Sequence, residues 1–294
     1  MDRVRRMYTL WNWLPAFRAV GERTHLPTAA KDLGISPSAL SRAVALLEEE
    51  VGEPMFDRVG RRLELNERGR TFLRSVRSAM RLIDEGIDDV RAESLRGGVH
   101  IAAREAFSWL ALDAAELLAA EHPDLVLHVA SVGAANAAPQ LRAGQLDIAL
   151  VSTPASDEDL VAEQLLENEF GVYCSEAHPL AQHGSVSLEQ LAEHGFIGPT
   201  TRTRDLWPPG VPRKITLRVE CIHDAVQASK TGKYLLFLPH WAGRRAQLVQ
   251  LEAPIAERAP VYMMFRRPLA AHPRTDTVLA ALRKAAQAAR ARAE

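Results

Sequence analysis

The segment from Thr28 to Glu50 constrains the fold most strongly, because it predicts two short helices joined by a tight turn. Gly34 stands where the chain must reverse, and a left-handed backbone conformation costs glycine little. Ser36 can cap the second helix, and Pro37 suits its first position, where no N–H is needed. This layout is typical of a helix-turn-helix, whose second helix enters the DNA major groove.

The second helix of this pair has an apolar side and a polar side. Leu40, Val44 and Leu47 recur at spacings of four and three, which predicts a buried face. Ser38 and Ser41 fall on the other side of its first two turns. A helical hairpin with no role in DNA binding would show similar spacing, so the flanking sequence has to separate the two interpretations.

A short two-stranded hairpin, the wing of a winged helix-turn-helix, is predicted next. Gly52 and Pro54 end the helix, and apolar and polar residues alternate on either side of a turn at Gly60 and Arg61. Phosphate contacts from such a hairpin supply affinity and register. This hairpin carries three arginines, Arg58, Arg61 and Arg62. Most surface arginines are simply solvated, but the clustering of these three beside the helix pair favours DNA binding.

The charge distribution agrees with a DNA-binding segment attached to a body that has another task. The net charge of the 294 residues is −1, which argues against a uniformly basic nucleic-acid binder. Residues 1–77 contain 14 basic and 10 acidic residues, whereas the remainder contains 22 basic and 27 acidic residues. The front of the chain is therefore basic and the rest acidic, although the excess is modest.

The sequence predicts a cytoplasmic protein without membrane contact. No apolar run approaches the ~20 residues needed to cross a bilayer. The start of the chain lacks the long apolar core and cleavage site of a signal peptide. The two cysteines, Cys174 and Cys221, cannot build a disulfide framework.

One long helix is predicted from Asn66, which can cap it, to Ser94. A helix that projects from a small domain cannot bury an apolar stripe by itself, so we expect a second subunit to cover the stripe in a homodimer. Packing of the stripe against its own chain is the alternative. The stripe follows heptad spacing and consists of Leu73, Val76, Met80, Ile83, Ile87 and Val90.

Strands and helices alternate after Arg96, which predicts an α/β body with a mainly parallel sheet. Two such lobes follow one another, and an alanine-rich helix over 273–293 ends the chain. Ligands in these sheets bind beyond the carboxyl ends of the strands and near helix N-termini. The candidate ligand-binding loops of the first lobe are therefore 104–108, 132–136 and 152–154.

Short motifs along the chain together resemble those of a known family. In residues 17–69 they are Ala29-Ala30, Ile35-Ser36, Ala39-Leu40-Ser41-Arg42, Leu47-Glu48, Gly52, Pro54-Met55-Phe56, Arg58, Leu65-Asn66-Glu67 and Gly69. Later motifs are Gln140-Leu141 with Gly144, Leu146-Asp147-Ile148-Ala149-Leu150 and His178-Pro179-Leu180. The first set is similar to the DNA-binding domain of LysR-type transcriptional regulators, and the second set to their effector domain.

The resemblance implies a fold of class α plus α/β. A winged helix-turn-helix would occupy 1–65, a long linker helix for dimerisation 66–95, and a two-lobed α/β effector domain, built like periplasmic binding proteins, 96–294. Lobe one would comprise 96–165 and 266–294, and lobe two 166–265. The implied function is that of a sequence-specific transcriptional regulator modulated by a small-molecule effector bound between the lobes. Its partners would be double-stranded DNA, the transcription machinery and copies of itself in a homodimer and homotetramer.

The resemblance also implies which residues contact DNA. Relatives often carry Gln-Pro where this chain has Pro37-Ser38, and the missing amide would have read adenine in a bidentate manner. The preferred base sequence therefore stays open. The DNA contacts implied by the resemblance are Ser36, Pro37, Ser38, Ser41, Arg42 and Arg58. The wing arginines Arg61 and Arg62, and Thr28, complete the predicted DNA-binding set.

The effector would meet hydroxyl and charged side chains between the lobes. Arg202 could clamp a carboxylate, although the threonines beside it could equally cap a helix, and His223 is more often structural. Family members often have Ser or Thr near the position of Glu105, which predicts that this chain favours cationic or amino-bearing effectors over anionic ones. The candidate effector-binding residues are Glu105, Ser108, Thr153, Thr200, Thr201, Arg202 and His223.

Two other functions stay open at this point. The chain could bind a small molecule with a degenerate DNA-binding head, or its α/β body could be an enzyme, although no nucleophile–base set is recognisable. Cys174, His178 and His183 have metal-compatible side chains but lack the tight pairing of a structural zinc site. Both thiols lie in predicted apolar strands, where they are usually inert. We therefore expect no catalytic residue, no metal and no cofactor.

Overall fold

A computed structural model describes residues 3–23, 25–59, 62–91, 95–131, 133–200, 205–267, 269 and 272–291. The chain forms two compact units, one of residues 1–92 with 143–145 and one of residues 93–142 with 146–294. None of the helices in the described part of the chain combines the length and apolar character that a membrane crossing needs.

The first unit is a winged helix-turn-helix followed by a long helix, as predicted. Its elements are α1 (Arg3–Trp11), α2 (Leu14–Arg23), α3 (Leu26–Leu33), α4 (Pro37–Val51), β1 (Phe56–Val59), β2 (Arg62–Leu65) and α5 (Glu67–Arg91). Apolar residues recur at helical spacing from Leu10 to Val20, which predicts one helix ending near Gly21, whereas the structure has two helices, α1 and α2. Pro15 explains the break, because it has no N–H to bond to the carbonyl of Trp11 in a continuous helix.

The predicted turn and caps of the head have the geometry that the sequence indicates. Gly34 adopts φ 65° at the end of α3, and the Ser36 hydroxyl accepts a hydrogen bond from Ala39 N at 3.1 Å. Asn66 Oδ1 accepts one from Gly69 N at 2.9 Å at the start of α5. Leu40, Val44 and Leu47 are buried in the same apolar cluster as Phe17, so the apolar side of α4 is confirmed as core. The predicted turn at Gly60 and Arg61 lies outside the described residues.

The apolar stripe of α5 divides into two parts. Leu73 and Val76 are buried in the core of the head, where α5 packs against α2. Ile83 is 45%, Ile87 43% and Val90 89% exposed. The first part of the stripe thus packs against its own chain, which was the alternative to dimerisation, because α5 runs alongside α2 there. Only the second part is available to a partner.

The second unit is a two-lobed α/β structure. Its elements are β3 (Gly97–Ala103), α6 (Glu105–Ala119), β4 (Leu125–Ala130), α7 (Ala134–Arg142), β5 (Ile148–Val151), β6 (Leu160–Cys174), a 3₁₀ turn (Pro179–Gln182), α8 (Leu188–Glu193), β7 (Gly195–Pro199), β8 (Lys214–Val219), α9 (Ile222–Ser229), β9 (Tyr234–Pro239), α10 (His240–Arg245), β10 (Val249–Gln250), β11 (Glu257–Arg266) and α11 (Pro273–Ala291).

Two long strands join the lobes. The strand order is β4-β3-β5-β11-β6-β9-β7-β8, with β10 beside β6. β3 pairs in parallel with β4 and β5, and β7 with β8 and β9, so each lobe has the predicted parallel sheet. β6 and β11 run antiparallel through both lobes. β11 returns to the first lobe at 262–265, which pair with β5, so the predicted lobe boundary at 266 falls at the end of this strand.

The structure extends one predicted strand considerably. The sequence predicts a strand only over 170–174, whereas β6 begins at Leu160. The missed part carries Glu163, Glu167 and Glu169, whose side chains stay partly or fully exposed along the crossing strand. A strand with one solvated face reads as polar, which is why hydrophobic pattern alone did not find it.

His178, one of the metal-compatible residues, is a buried helix cap. Its Nδ1 accepts a hydrogen bond from Leu180 N at 3.1 Å, and its ring lies 4.8 Å from that of His194. The neutral ring must therefore carry its proton on Nε2. No group of three or more possible metal ligands occurs within the described ranges.

We expect His178 to make the protein less stable in acid. Burial, and the neighbouring His194, lower the pKa of His178 to about 4. Because the folded state takes up this proton less readily than the unfolded state, stability is full above the unfolded pKa of about 6.5 and falls as the pH drops towards 4. The loss between pH 7 and pH 5 is about 2 kcal/mol. Urea unfolding of wild type and His178→Asn at both pH values measures it, and equal slopes in the two proteins would contradict this account.

Candidate nucleic-acid interface and effector cleft

The start of α4 is exposed and carries three of the nine predicted DNA contacts. Ser36, Pro37 and Ser38 are exposed, and the hydroxyls of the two serines lie 3.0 Å apart. Thr28 is also exposed, on α3, and its hydroxyl lies 2.9 Å from Nδ1 of His25. Polar groups on the first turn of a recognition helix are the ones that reach base edges and phosphates. Sequence reasoning did not single out His25, which orients the hydroxyl of Thr28.

Two exposed arginines lie on the recognition helix and on the wing. Arg42 on α4 and Arg58 on β1 are exposed, and neither has a hydrogen bond or ion pair within the described residues. Four other arginines of the head contact acidic residues, since Arg18 and Arg77 both contact Glu22, Arg23 contacts Asp32 and Arg68 contacts Glu53. An uncompensated guanidinium beside the recognition helix is available to a phosphate or a guanine. Arg61 and the side chain of Arg62 lie outside the described residues.

Glu48 fixes the position of the wing relative to α4. Its Oε1 accepts hydrogen bonds from Met55 N at 2.6 Å and Phe56 N at 3.1 Å, where the chain leaves α4 and enters β1. Charge-assisted hydrogen bonds of this kind are among the stronger ones. The sequence offered Glu48 only as part of a family motif. Its half-buried carboxylate thus holds the start of β1, the strand that carries Arg58.

In the second unit, the candidate residue Glu105 is the first residue of α6 and joins the two lobes. Both of its carboxylate oxygens lie 2.8 Å from Ile222 N, the first amide of α9 in lobe two. The next carbonyl, that of Ala106, accepts hydrogen bonds from Trp241 Nε1 at 3.1 Å and Asn168 Nδ2 at 3.2 Å. The first turn of α6 is therefore tied to lobe two at adjacent residues.

The other effector candidates are less closely grouped. The Thr200 hydroxyl donates to Glu220 Oε2 at 3.1 Å, beside the N-terminus of α9, and exposed His223 is the second residue of that helix. The Ser108 hydroxyl bonds back to the carbonyl of Glu105. Thr153 is exposed after β5 with no described contact to lobe two. Thr201 and Arg202 lie outside the described residues, as does Val132 in a predicted ligand loop.

Both thiols favour their protonated form. The Sγ of Cys221 caps α9 by accepting a hydrogen bond from Asp224 N at 3.5 Å, which by itself lowers the pKa of the thiol. A hydrogen bond to the Asp224 side chain, partial burial and the charges of Glu105 and Asp224 outweigh it, so this pKa is raised overall. Burial raises the pKa of Cys174 to about 11. Neither thiol is prepared as a nucleophile, because the thiolate is the reactive form.

Comparison with known proteins gives consistent matches over both units. Residues 11–70 match the family described as "Bacterial regulatory helix-turn-helix protein, lysR family", and residues 92–287 match "LysR substrate binding domain". Almost all of α1 therefore precedes the matched region.

Curated relatives are similar over part of their length. The HTH-type transcriptional regulator ShiR of Corynebacterium glutamicum is 34% identical over 193 residues, which are 63% of this chain and 64% of ShiR. IlvY of Escherichia coli, also an HTH-type transcriptional regulator, is 31% identical over 205 residues, 66% of this chain and 68% of IlvY. The uncharacterised regulator YybE of Bacillus subtilis is 30% identical over 65% of its own length. The matches thus span about two thirds of these relatives.

Solved structures share the fold over nearly the whole chain. CbnR in complex with its target DNA has a TM-score of 0.71 and 16% identity and covers 94% of this chain and 99% of its own. LysG of Corynebacterium glutamicum with bound effector Arg has a TM-score of 0.62 and 18% identity, covering 94% and 97%. At these identities the likeness shows the architecture alone.

Proposed function

The chain belongs to the LysR family of bacterial regulators, and on this premise we propose that it is a sequence-specific DNA-binding transcriptional regulator modulated by a small-molecule effector. The observation that carries the proposal is the exposed start of α4 together with exposed Arg42 and Arg58, for which the described residues offer no acidic partner. CbnR, which shares the fold, has been solved in complex with its target DNA, and this supports a DNA-binding role.

The effector would bind in the second unit, near the N-termini of α6 and α9. A small molecule can shift the equilibrium between two arrangements only by its difference in affinity for them. We therefore propose that the effector acts by changing how the lobes are joined, and that this change alters DNA binding or recruitment of the transcription machinery. A regulator of this kind would meet its DNA in the cytoplasm.

We also propose that the chain works as a homodimer, joined through the exposed second part of the α5 stripe, and that two dimers associate into a homotetramer. A DNA-reading head on each of two subunits doubles the contacts with a two-fold symmetric operator. The alternative, a small-molecule binding protein with a degenerate head, is disfavoured because the Ser36 cap and the Glu48 link to the wing are intact.

We expect Arg42→Ala and Arg58→Ala each to weaken DNA binding by about ten-fold, since one lost guanidinium contact accounts for roughly 1–3 kcal/mol. A duplex selected by wild type from random DNA serves as the probe, and fluorescence anisotropy at several salt concentrations measures affinity. If Arg58 contacts only phosphate, its loss also lowers the salt slope by about one.

Arg74→Ala is the matched control for these two variants. Arg74 is exposed on α5 and bonds to Thr71 within the same helix, so its removal changes the charge equally without altering α4 or the wing. Full affinity in Arg42→Ala and Arg58→Ala would contradict the proposed interface. A wild-type protein that selects no duplex at all would overturn the proposed function.

A further inference from the structure

A carboxylate of the chain itself occupies the start of α9. The first amides of a helix have no partner within the helix, and their end of the helix carries a partial positive charge. Both oxygens of Glu105 lie 2.8 Å from the first of these amides, that of Ile222. Glu105 belongs to lobe one and Ile222 to lobe two, so one contact fills an anion position and joins the lobes.

The neighbouring contacts show that this joint is built rather than incidental. Asn168, which is only 5% exposed, and Trp241 both donate to the carbonyl of Ala106, the residue after Glu105. The ring of Trp241 also lies 6.2 Å from that of Trp109, one turn further along α6. The start of α6 is thus held against lobe two by hydrogen bonds and by apolar packing, which places the Glu105 carboxylate at α9.

We propose that Glu105 is a built-in substitute for the negative group of an effector, which joins the two lobes and excludes carboxylate-bearing small molecules from the start of α9. The proposal rests on the proposed function, because it concerns how the same cleft selects its effector. A carboxylate ligand can reach the Ile222 amide only if Glu105 leaves it, and the two negative groups repel each other at such distances. A ligand without a negative group meets no such competition.

Glu105 also lies at the positive end of its own helix, α6, where any acidic residue is stabilising. A loss of stability in Glu105→Ala would therefore not by itself identify the joint between the lobes. Glu105→Asp separates the two effects. It keeps a negative charge at the start of α6, but its side chain is one methylene shorter and does not reach Ile222.

Hydrogen exchange of the full-length protein, followed by mass spectrometry over the start of α9, tests the joint directly. We expect the amides there to exchange about ten-fold faster in Glu105→Ala and in Glu105→Asp than in wild type, as loss of one charge-assisted hydrogen bond implies. Glu116→Gln, an exposed acidic residue of the same helix, is the control and should exchange like wild type. Unchanged exchange in both Glu105 variants would overturn the proposal.

Acetate, a bare carboxylate, tests the exclusion. At millimolar concentration it should slow exchange at the start of α9 in Glu105→Ala and leave wild type unchanged. Acetate that protects wild type as strongly as Glu105→Ala would overturn the proposed competition. These measurements need no DNA, so they fail or succeed independently of the DNA-binding test of the proposed function.

Discussion

A Gly69→Ala protein is expected to unfold with a free energy about 3 kcal/mol lower than that of wild type and to lose DNA binding with it. A Cβ at this buried position would overlap the Met55 carbonyl oxygen and would lie 2.8 Å from a methyl carbon of Leu65. Met55 cannot move aside, because its N–H is held by Glu48 and its carbonyl accepts from Asn66 N at 3.1 Å. The clash therefore falls on the junction between α4, the wing and α5.

Gly86→Ala is the matched control, since it makes the same change in the same helix. A Cβ at Gly86 meets nothing within 4 Å. Alanine in an exposed helical position should therefore raise the stability by about 0.5–1 kcal/mol. Urea unfolding at one fixed protein concentration, with anisotropy on the selected duplex, measures both variants. A Gly69→Ala protein as stable as wild type would contradict the close packing of Met55 against Gly69.

Local sequence signals predicted the head well because its structure is fixed by residues close together in the chain. Gly34, Ser36 and Asn66 determine where helices start and end through contacts three or four residues away. The apolar spacing of α4 likewise needs no knowledge of distant residues. The break between α1 and α2 was missed, although Pro15 was a local signal for it.

The contacts that the sequence did not predict join residues that are far apart. The Glu105 carboxylate accepts a hydrogen bond from Ile222 N, 117 positions further along the chain, and no spacing pattern predicts such a pair. From the residue type at position 105, the sequence predicted a negative charge in the candidate cleft, but it did not predict that Ile222 N would be its partner. The polar part of β6 was missed for a similar reason, because a strand that crosses between lobes is stabilised by β11 rather than by its own hydrophobic pattern.

The division of the α5 stripe also depends on distant residues. Heptad spacing is equal along the helix, yet Leu73 and Val76 are buried by the head, whereas Ile83 and Ile87 are not. A groove between α2 and α5 lies beside the exposed second part of the stripe and could accommodate a partner subunit. It is lined by Trp11, Pro15, Arg18, Glu22, Arg77, Met80, Arg81, Ile83, Asp84 and Ile87. Apolar residues with arginines and acids around them suit a self-complementary surface, in which each copy presents both signs of charge.

The helix α1 enlarges this apolar surface. Its exposed side chains recur at spacings of three, one and three, which places Val4, Met7, Tyr8 and Trp11 on one side, with Tyr8 79% exposed. Trp11 lines the groove together with Ile83 and Ile87. Because contiguous exposed apolar surface of this kind marks interaction sites, we propose that a second copy of the chain covers α1 as well as α5.

An Ile83→Glu, Ile87→Glu double variant is therefore expected to be monomeric and to bind the selected duplex at least about 100-fold more weakly, because one head alone loses the effective concentration that a linked second head provides. Two buried carboxylates facing their symmetry copies would each lack a partner and would repel one another. Light scattering gives the mass, and anisotropy gives the affinity.

Leu206→Glu controls for the loss of an exposed apolar residue as such. Leu206 is 41% exposed, close to the exposure of Ile83 and Ile87, but it lies in the second unit. It should leave both the mass and the affinity near wild type. A double variant that keeps the dimer mass would show that the subunits pair elsewhere. A monomer that keeps full affinity would show instead that one head suffices, since dimerisation and DNA binding are then no longer coupled.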